Sequence, residues 1–304
     1  MSTLLVLGGS GLLGSRLSTA GIKEHEVVAT HRSIVPELEG VRLVEMHKER
    51  TEEAVDVLRQ VHPDYVVDTA AFHNVDGCEE ERELAWRVNV IGTAELCRAA
   101  RGIGARYLYV STDFVFDGDA GPYKEDDKAE PVNYYGVTKL EAERAVMGEH
   151  EGNQVVRPSV IYGWNETRLN FATWVLTTLR EGKEVRCVTD WYGSPTLADS
   201  LAEAMLRLLR IDEGGVFHLA GLDCMSRFDF ARRLAKAFEL DLDLVQPVKA
   251  TQLGMRARRP ANSCLINRRA AKHGINPIGV EEGLTLMRSQ RTLESFETPA
   301  RFKS

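Results

Sequence analysis

Thr3-Leu4-Leu5-Val6-Leu7-Gly8-Gly9-Ser10-Gly11-Leu12-Leu13-Gly14 decides the fold class. A short apolar run ends at glycines, and a helical pattern, Leu12–Ala20, follows at once. An apolar run without polar alternation reads as a strand buried on both faces. Gly8, Gly11 and Gly14 recur at three-residue steps between that strand and helix. Glycines in this context let the backbone approach a pyrophosphate at a helix N-terminus. Gly8, Ser10, Gly11, Leu12, Leu13 and Gly14 are therefore candidates for a dinucleotide cradle.

The same alternation continues outward. Glu26–Thr30, Val41–Glu45, Tyr65–Asp68, Arg106–Ser111 and Val155–Val160 read as strands. Thr51–Val61, Glu79–Gly102 and Tyr134–Gly148 read as the intervening helices, with Thr51 as an N-cap. Strands separated by helix-length segments imply an α/β fold, a Rossmann-type doubly wound parallel sheet. After about Gly163 the pattern is less regular. Leu169–Arg180, Leu197–Ile211, Arg227–Glu239 and Glu281–Glu294 read as helices, Val216–Ala220 as a strand and Gln252–Ser263 as a loop. The expected division is a dinucleotide-binding domain over 1–162, completed by strands from about 185–222. A smaller C-terminal α/β region, 163–304, mainly binds substrate.

Composition narrows the function classes. The chain has 304 residues, 43% hydrophobic and 27% charged, and a net charge of −7. Those fractions are ordinary for a soluble globular protein. The acidic balance argues against a nucleic-acid or anionic-membrane surface. Leu4–Leu7 is far short of the ~20 apolar residues of a membrane span. Met1-Ser2-Thr3 lacks the basic start of a signal peptide, so a cytoplasmic location is expected. Cys78, Cys97, Cys187, Cys224 and Cys264 are scattered and odd in number, with no CxxC pair. The expectation is five reduced thiols, with no disulfide and no zinc site.

Tyr135-Gly136-Val137-Thr138-Lys139 carries the chemistry. A Tyr and a Lys four residues apart share one face of a helix. A phenol with a pKa near ~10 is a poor acid–base group at neutral pH. An ammonium nearby favours the phenolate and lowers that value, making the phenol a usable general acid or base. Tyr134 projects about 100° away around the helix, so Tyr135 is the candidate.

The strand ends supply the remaining candidates. Ser111-Thr112-Asp113 ends the fifth strand, where ligands of open parallel sheets collect, and a hydroxyl there can bond a substrate carbonyl. Thr69-Ala70-Ala71 ends the fourth with small side chains beside which a ligand can run. The second ends Ala29-Thr30-His31-Arg32-Ser33, with no acid for a ribose 2′-hydroxyl. Arg32 suits a 2′-phosphate instead, so NADPH is the expected cofactor, with NADH as the alternative.

These motifs resemble an extended short-chain dehydrogenase/reductase of the dTDP-4-dehydrorhamnose reductase type. That family also includes the regulatory beta subunit of methionine adenosyltransferase. The resemblance runs through Gly8–Gly14, Thr69–Glu79, Val88–Thr93, Ser111–Gly118, Pro131–Lys139, Arg157–Gly163, Asp190–Thr196 and Arg259–Leu265. It implies a Thr112, Tyr135 and Lys139 catalytic set, with Asn89 supporting the lysine. The cofactor would lie over the glycine loop, Arg32, Thr69, Ala70 and Ala71, in reach of Tyr135 and Lys139. The substrate would be a nucleotide-linked 4-keto sugar near His73, Asp113, Phe114, Val160 and Arg259.

Three positions depart from the family's pattern: Phe114 replaces a Tyr, His73 a Thr and Val160 a Trp. The resemblance therefore implies an unusual sugar pocket. Ser15-Arg16 lacks the carboxylate through which some bacterial members bind a bridging magnesium, so no metal is expected. An epimerase or dehydratase of the same fold and a dinucleotide-binding regulatory subunit are the competing readings. The oligomeric state, a homodimer included, stays open.

Overall fold

A computed structural model of the chain describes residues 1–165, 167–293 and 295–296. Its centre is a seven-stranded parallel sheet. Six strands are β1 (Ser2–Leu7), β2 (His25–His31), β3 (Arg42–Glu45), β4 (Tyr65–Asp68), β5 (Arg106–Val110) and β6 (Gln154–Arg157). The seventh, Gly215–His218, pairs with β6 at one edge, and the order inward is β6, β5, β4, β1, β2, β3. The chain winds outward from β1 in both directions, as the alternating sequence pattern requires.

The apolar run of β1 shows why both faces are covered. Leu4 and Val6 pack on one side with Leu17, Leu201 and Met205. Leu5 and Leu7 pack on the other with Leu58, Leu96 and Tyr107. Successive strand residues point to opposite faces, so an all-apolar strand needs helices on both. Helix α1 (Leu12–Gly21) covers the first side and α2 (Thr51–Val61) the second.

Several local expectations need correction. Thr51 is the first helical residue of α2, and the cap is Arg50, whose carbonyl accepts from Ala54 N. Glu79–Gly102 is not one helix. Val75–Glu80 and Arg82–Trp86 are short helices broken at Glu81, and a wide π-turn, Arg87–Ile91, leads into the helix Gly92–Gly102. Helical periodicity alone did not register the break, because every residue in the run tolerates helix. π-turns inside helices often mark functional sites, and this one carries Asn89.

Of the segments between 185 and 222, Gly215–His218 joins the large sheet. Val185–Val188 instead pairs with Val245–Val248 in a separate two-stranded sheet. Around that small sheet, helices Phe171–Arg180, Arg227–Ala237 and Val280–Gln290 build a second core with Val175, Phe230, Leu234 and Leu284. The expected terminal helix ended at Glu294, which lies outside the described residues.

The cysteine expectation is overturned. Cys224 and Cys264 form a disulfide, with Cα atoms 5.5 Å apart. They are 40 residues apart in sequence, so spacing carried no trace of the pairing. The fold makes it by laying the 259–265 segment beside Tyr192 and Met225–Ser226. Cys78, Cys97 and Cys187 are free and buried, and burial pushes each thiol up to about 12.

Candidate active site

The glycine loop is held from both flanks. Gly8 sits at φ +90°, and its N–H donates to Thr30 Oγ1 at 3.0 Å. Thr69 Oγ1 donates to the Leu7 carbonyl at 2.6 Å. A Cβ on Gly14 would run into the Gly8 carbonyl, so only glycine permits this strand-to-helix turn. Gly11 caps α1 without a side-chain bond, leaving the amides of the first turn, at Leu12, Leu13 and Gly14, facing outward. Thr167 reaches across to donate to the Ser10 carbonyl at 2.9 Å, so the second region touches the cradle.

At the second strand end Thr30 is committed to Gly8, and Arg32 projects with 60% of its side chain exposed. Its guanidinium meets Glu49 at 3.0 Å. An acid does reach this edge, from the turn after β3 rather than from β2.

Beneath Ala70 lies a buried polar cluster that sequence reading missed. Lys48 Nζ donates to Asp68 Oδ2 at 2.5 Å and to the Ala70 carbonyl at 2.9 Å. Tyr107 Oη donates to the same Asp68 oxygen at 2.7 Å. Asp68, an acid inside an apolar strand, was a visible signal; Lys48, in an irregular turn, gave none. Ala71 lines the next step, its carbonyl facing His73 Nδ1 at 3.4 Å.

Asn89 is fully buried and ties three segments together. Its Oδ1 accepts from Phe72 N at 2.8 Å, and its Nδ2 donates to the Phe72 carbonyl and to Thr138 Oγ1. It therefore braces the helix Tyr134–Glu149 one residue before Lys139.

That helix starts where Asn133 accepts from Gly136 N at 2.8 Å. It presents Tyr135 and Lys139 on its inner side. Lys139 Nζ donates to the Val110 carbonyl at 2.7 Å and lies 4.1 Å above the centre of the Tyr109 ring. Burial, and then the nearby Lys48 ammonium, hold its own ammonium down to about 7. Tyr135 packs edge-on to Phe114 with ring centres 6.1 Å apart. Burial raises its phenol well above the usual tyrosine range, while the adjacent Thr112 hydroxyl acts in the opposite direction. The expectation of a lowered tyrosine is thus corrected: removal from water raises the phenol, and the group that opposes the rise is the Thr112 hydroxyl rather than Lys139. Tyr134 faces elsewhere, its ring under the Arg82 guanidinium at 4.8 Å.

The residues expected near a substrate divide into two groups. Phe114 lies against the Tyr135 ring, and His73 follows the end of β4. His73 opens to solvent yet is ringed by protein, and that desolvation, with Arg168 beside it, holds its imidazole below the usual range. Asp113 instead turns inward, accepting from Ser159 at 2.8 Å, Ser263 at 2.5 Å and Thr112 at 3.1 Å. Arg259 grips Asp76 with two bonds, at 2.6 and 3.0 Å, pinning the late loop to the Val75–Glu80 helix. Val160 lies beyond the end of β6 at φ +46°, a strained conformation for a β-branched residue. Among the described residues there is no cluster of metal-ligating side chains and no helix long and apolar enough to cross a membrane.

The parallel α/β sheet with flanking helices agrees with the comparisons. Residues 1–292 match the family described as the RmlD substrate binding domain. The chain belongs to this family. Over 282 residues it is 33% identical to a dTDP-4-dehydrorhamnose reductase of Mycobacterium tuberculosis, covering 90% of this chain and 88% of the relative. Over 296 residues it is 32% identical to methionine adenosyltransferase 2 subunit beta of Xenopus laevis, covering 92% and 86%. A solved dTDP-4-dehydrorhamnose reductase of Bacillus anthracis, in complex with NADP, matches with a TM-score of 0.84 at 27% identity, over 95% of this chain and 99% of that one. The family thus contains both reductases and a subunit named for another enzyme.

Proposed function

We propose that the protein is an NADPH-dependent reductase of a 4-keto sugar linked to a nucleoside diphosphate. One observation carries the reading. Tyr135 sits one helical turn from Lys139, with the Thr112 hydroxyl adjacent to its phenol just past the end of β5. A phenol so placed is a general acid for an oxygen on which charge develops.

The residues present fit a dinucleotide. The Gly14 contact with the Gly8 carbonyl leaves no room for a side chain in the cradle, and the first turn of α1 has no side-chain cap. Gly8–Gly14 would hold the pyrophosphate, Arg32 the 2′-phosphate, and Ala70 and Ala71 the path to the reacting end. When bound, NADPH supplies the hydride. Thr112 donates to the substrate carbonyl and orients it. Tyr135 gives its proton to the same oxygen as the carbonyl is reduced. The Lys139 ammonium would stabilise the phenolate left behind and would hold the nicotinamide ribose. His73, Phe114 and Val160 shape the sugar pocket.

The likeness to the methionine adenosyltransferase subunit supports a second reading, a dinucleotide-binding regulatory subunit. NADPH oxidation scanned against a panel of nucleotide-linked 4-keto sugars tests the first. Turnover with one sugar, lost in Tyr135→Phe, is the expected result. Absence of turnover across the panel, with NADPH still bound, would favour the regulatory reading.

A further inference from the structure

We propose that Glu49 is a specificity-determining residue: it reads the cofactor's adenosine ribose in opposition to Arg32 and lets the chain take both NADPH and NADH. The inference rests on the reductase reading above.

It starts from the sheet. β2 and β3 are parallel neighbours with His31 opposite Glu45, and Met46 N donates to the His31 carbonyl at 2.9 Å. The turn leaving β3 is thereby fastened beside the end of β2, where open sheets of this kind read the ribose. Glu49 rises from that turn and places Oε1 3.0 Å from Arg32 Nη2. Its side chain is 19% exposed, against 60% for Arg32, so the acid is the better anchored of the two. His47 stands behind it, Nδ1 3.6 Å from the same oxygen and Nε2 3.0 Å from Glu45.

An acid at this edge accepts from a ribose 2′-hydroxyl, and an arginine accommodates a 2′-phosphate. Here both functions converge on one spot. With NADH, Glu49 keeps Arg32 and also accepts from the hydroxyl. With NADPH, Arg32 turns to the phosphate, while Glu49 repels that phosphate. The arginine's preference is therefore held in check by a neighbour from the turn after β3.

Equilibrium binding of NADPH and NADH to the full chain, followed by nicotinamide fluorescence, tests this in native protein, Glu49→Gln, Arg32→Ala and the double variant. Glu49→Gln should tighten NADPH and weaken NADH, moving the affinity ratio about tenfold toward NADPH. Arg32→Ala should weaken NADPH and leave NADH within about twofold. In the double variant the Glu49→Gln loss on NADH should persist, because the acid itself meets the hydroxyl. A Glu49→Gln protein whose two affinities are unmoved, or moved by one common factor, would overturn the inference while leaving the reductase reading intact. Native protein that binds neither nucleotide would overturn both.

Discussion

Replacing Lys139 with Met should stabilise the fold while abolishing turnover. The ammonium is buried 4.1 Å from the centre of the Tyr109 ring, and the second ammonium of Lys48 lies 5.9 Å from the same centre. The charged groups around it are Lys48, Asp68 and Glu143, with the Cys78 thiol beside them. Burial first, and Lys48 second, lower Lys139 from 10.5 to about 7. Between those values the folded chain binds fewer protons than the unfolded chain, so native stability rises with pH across that window. Linkage puts the cost of carrying this lysine into the fold at about 4 kcal/mol at pH 7, falling to about 2 kcal/mol at pH 9. Met fills a similar volume but forfeits the bond to the Val110 carbonyl and the cation–π contact, together worth about 2 kcal/mol. The net gain at pH 7 is about 2 kcal/mol, or about 3 °C in Tm for a chain of this length. Thermal unfolding of native and variant protein at pH 7 and pH 9, beside NADPH oxidation, measures both effects. The variant should be inactive, more stable at pH 7 and level with native near pH 9. A variant less stable than native at pH 7, or a gap that ignores pH, would refute the reasoning.

Three further outcomes follow from the site and the disulfide. Tyr135→Phe should cut turnover by about 10²–10⁴-fold while NADPH binding survives, and Tyr134→Phe should change little; steady-state kinetics with equilibrium binding read both. dTDP-4-dehydrorhamnose should be a poor substrate, with kcat/KM below ~10⁴ M⁻¹s⁻¹, because Phe114, His73 and Val160 withdraw the hydroxyl and indole contacts that the family's pattern would offer. Non-reducing mass measurement should find the chain two hydrogens light, and Cys224→Ser should cost about 2–4 kcal/mol in denaturant unfolding, since a 40-residue separation is no longer closed.

Local order determined much of this protein. Leu4–Leu7 followed by glycines, and the strand–helix alternation after it, require a parallel sheet covered on both faces. The four-residue step from Tyr135 to Lys139 requires a shared helix face, whatever surrounds it. Those properties depend on neighbours in sequence, and periodicity reports them. The tertiary structure decided the rest, because it depends on which distant segments meet. Asp68 and Lys48 are 20 residues apart and become a buried pair only when the turn after β3 folds under Ala70. Glu49 reaches Arg32 because β2 and β3 are neighbours in the sheet, a pairing no local motif encodes. Asp113 reads as a cleft residue in sequence and is turned inward by Ser159 and Ser263, from segments 46 and 150 residues away. Cys224 meets Cys264 for the same reason. The protonation of Tyr135 is the sharpest case: spacing says which lysine is near, but burial, a property of the whole fold, sets the sign of the shift.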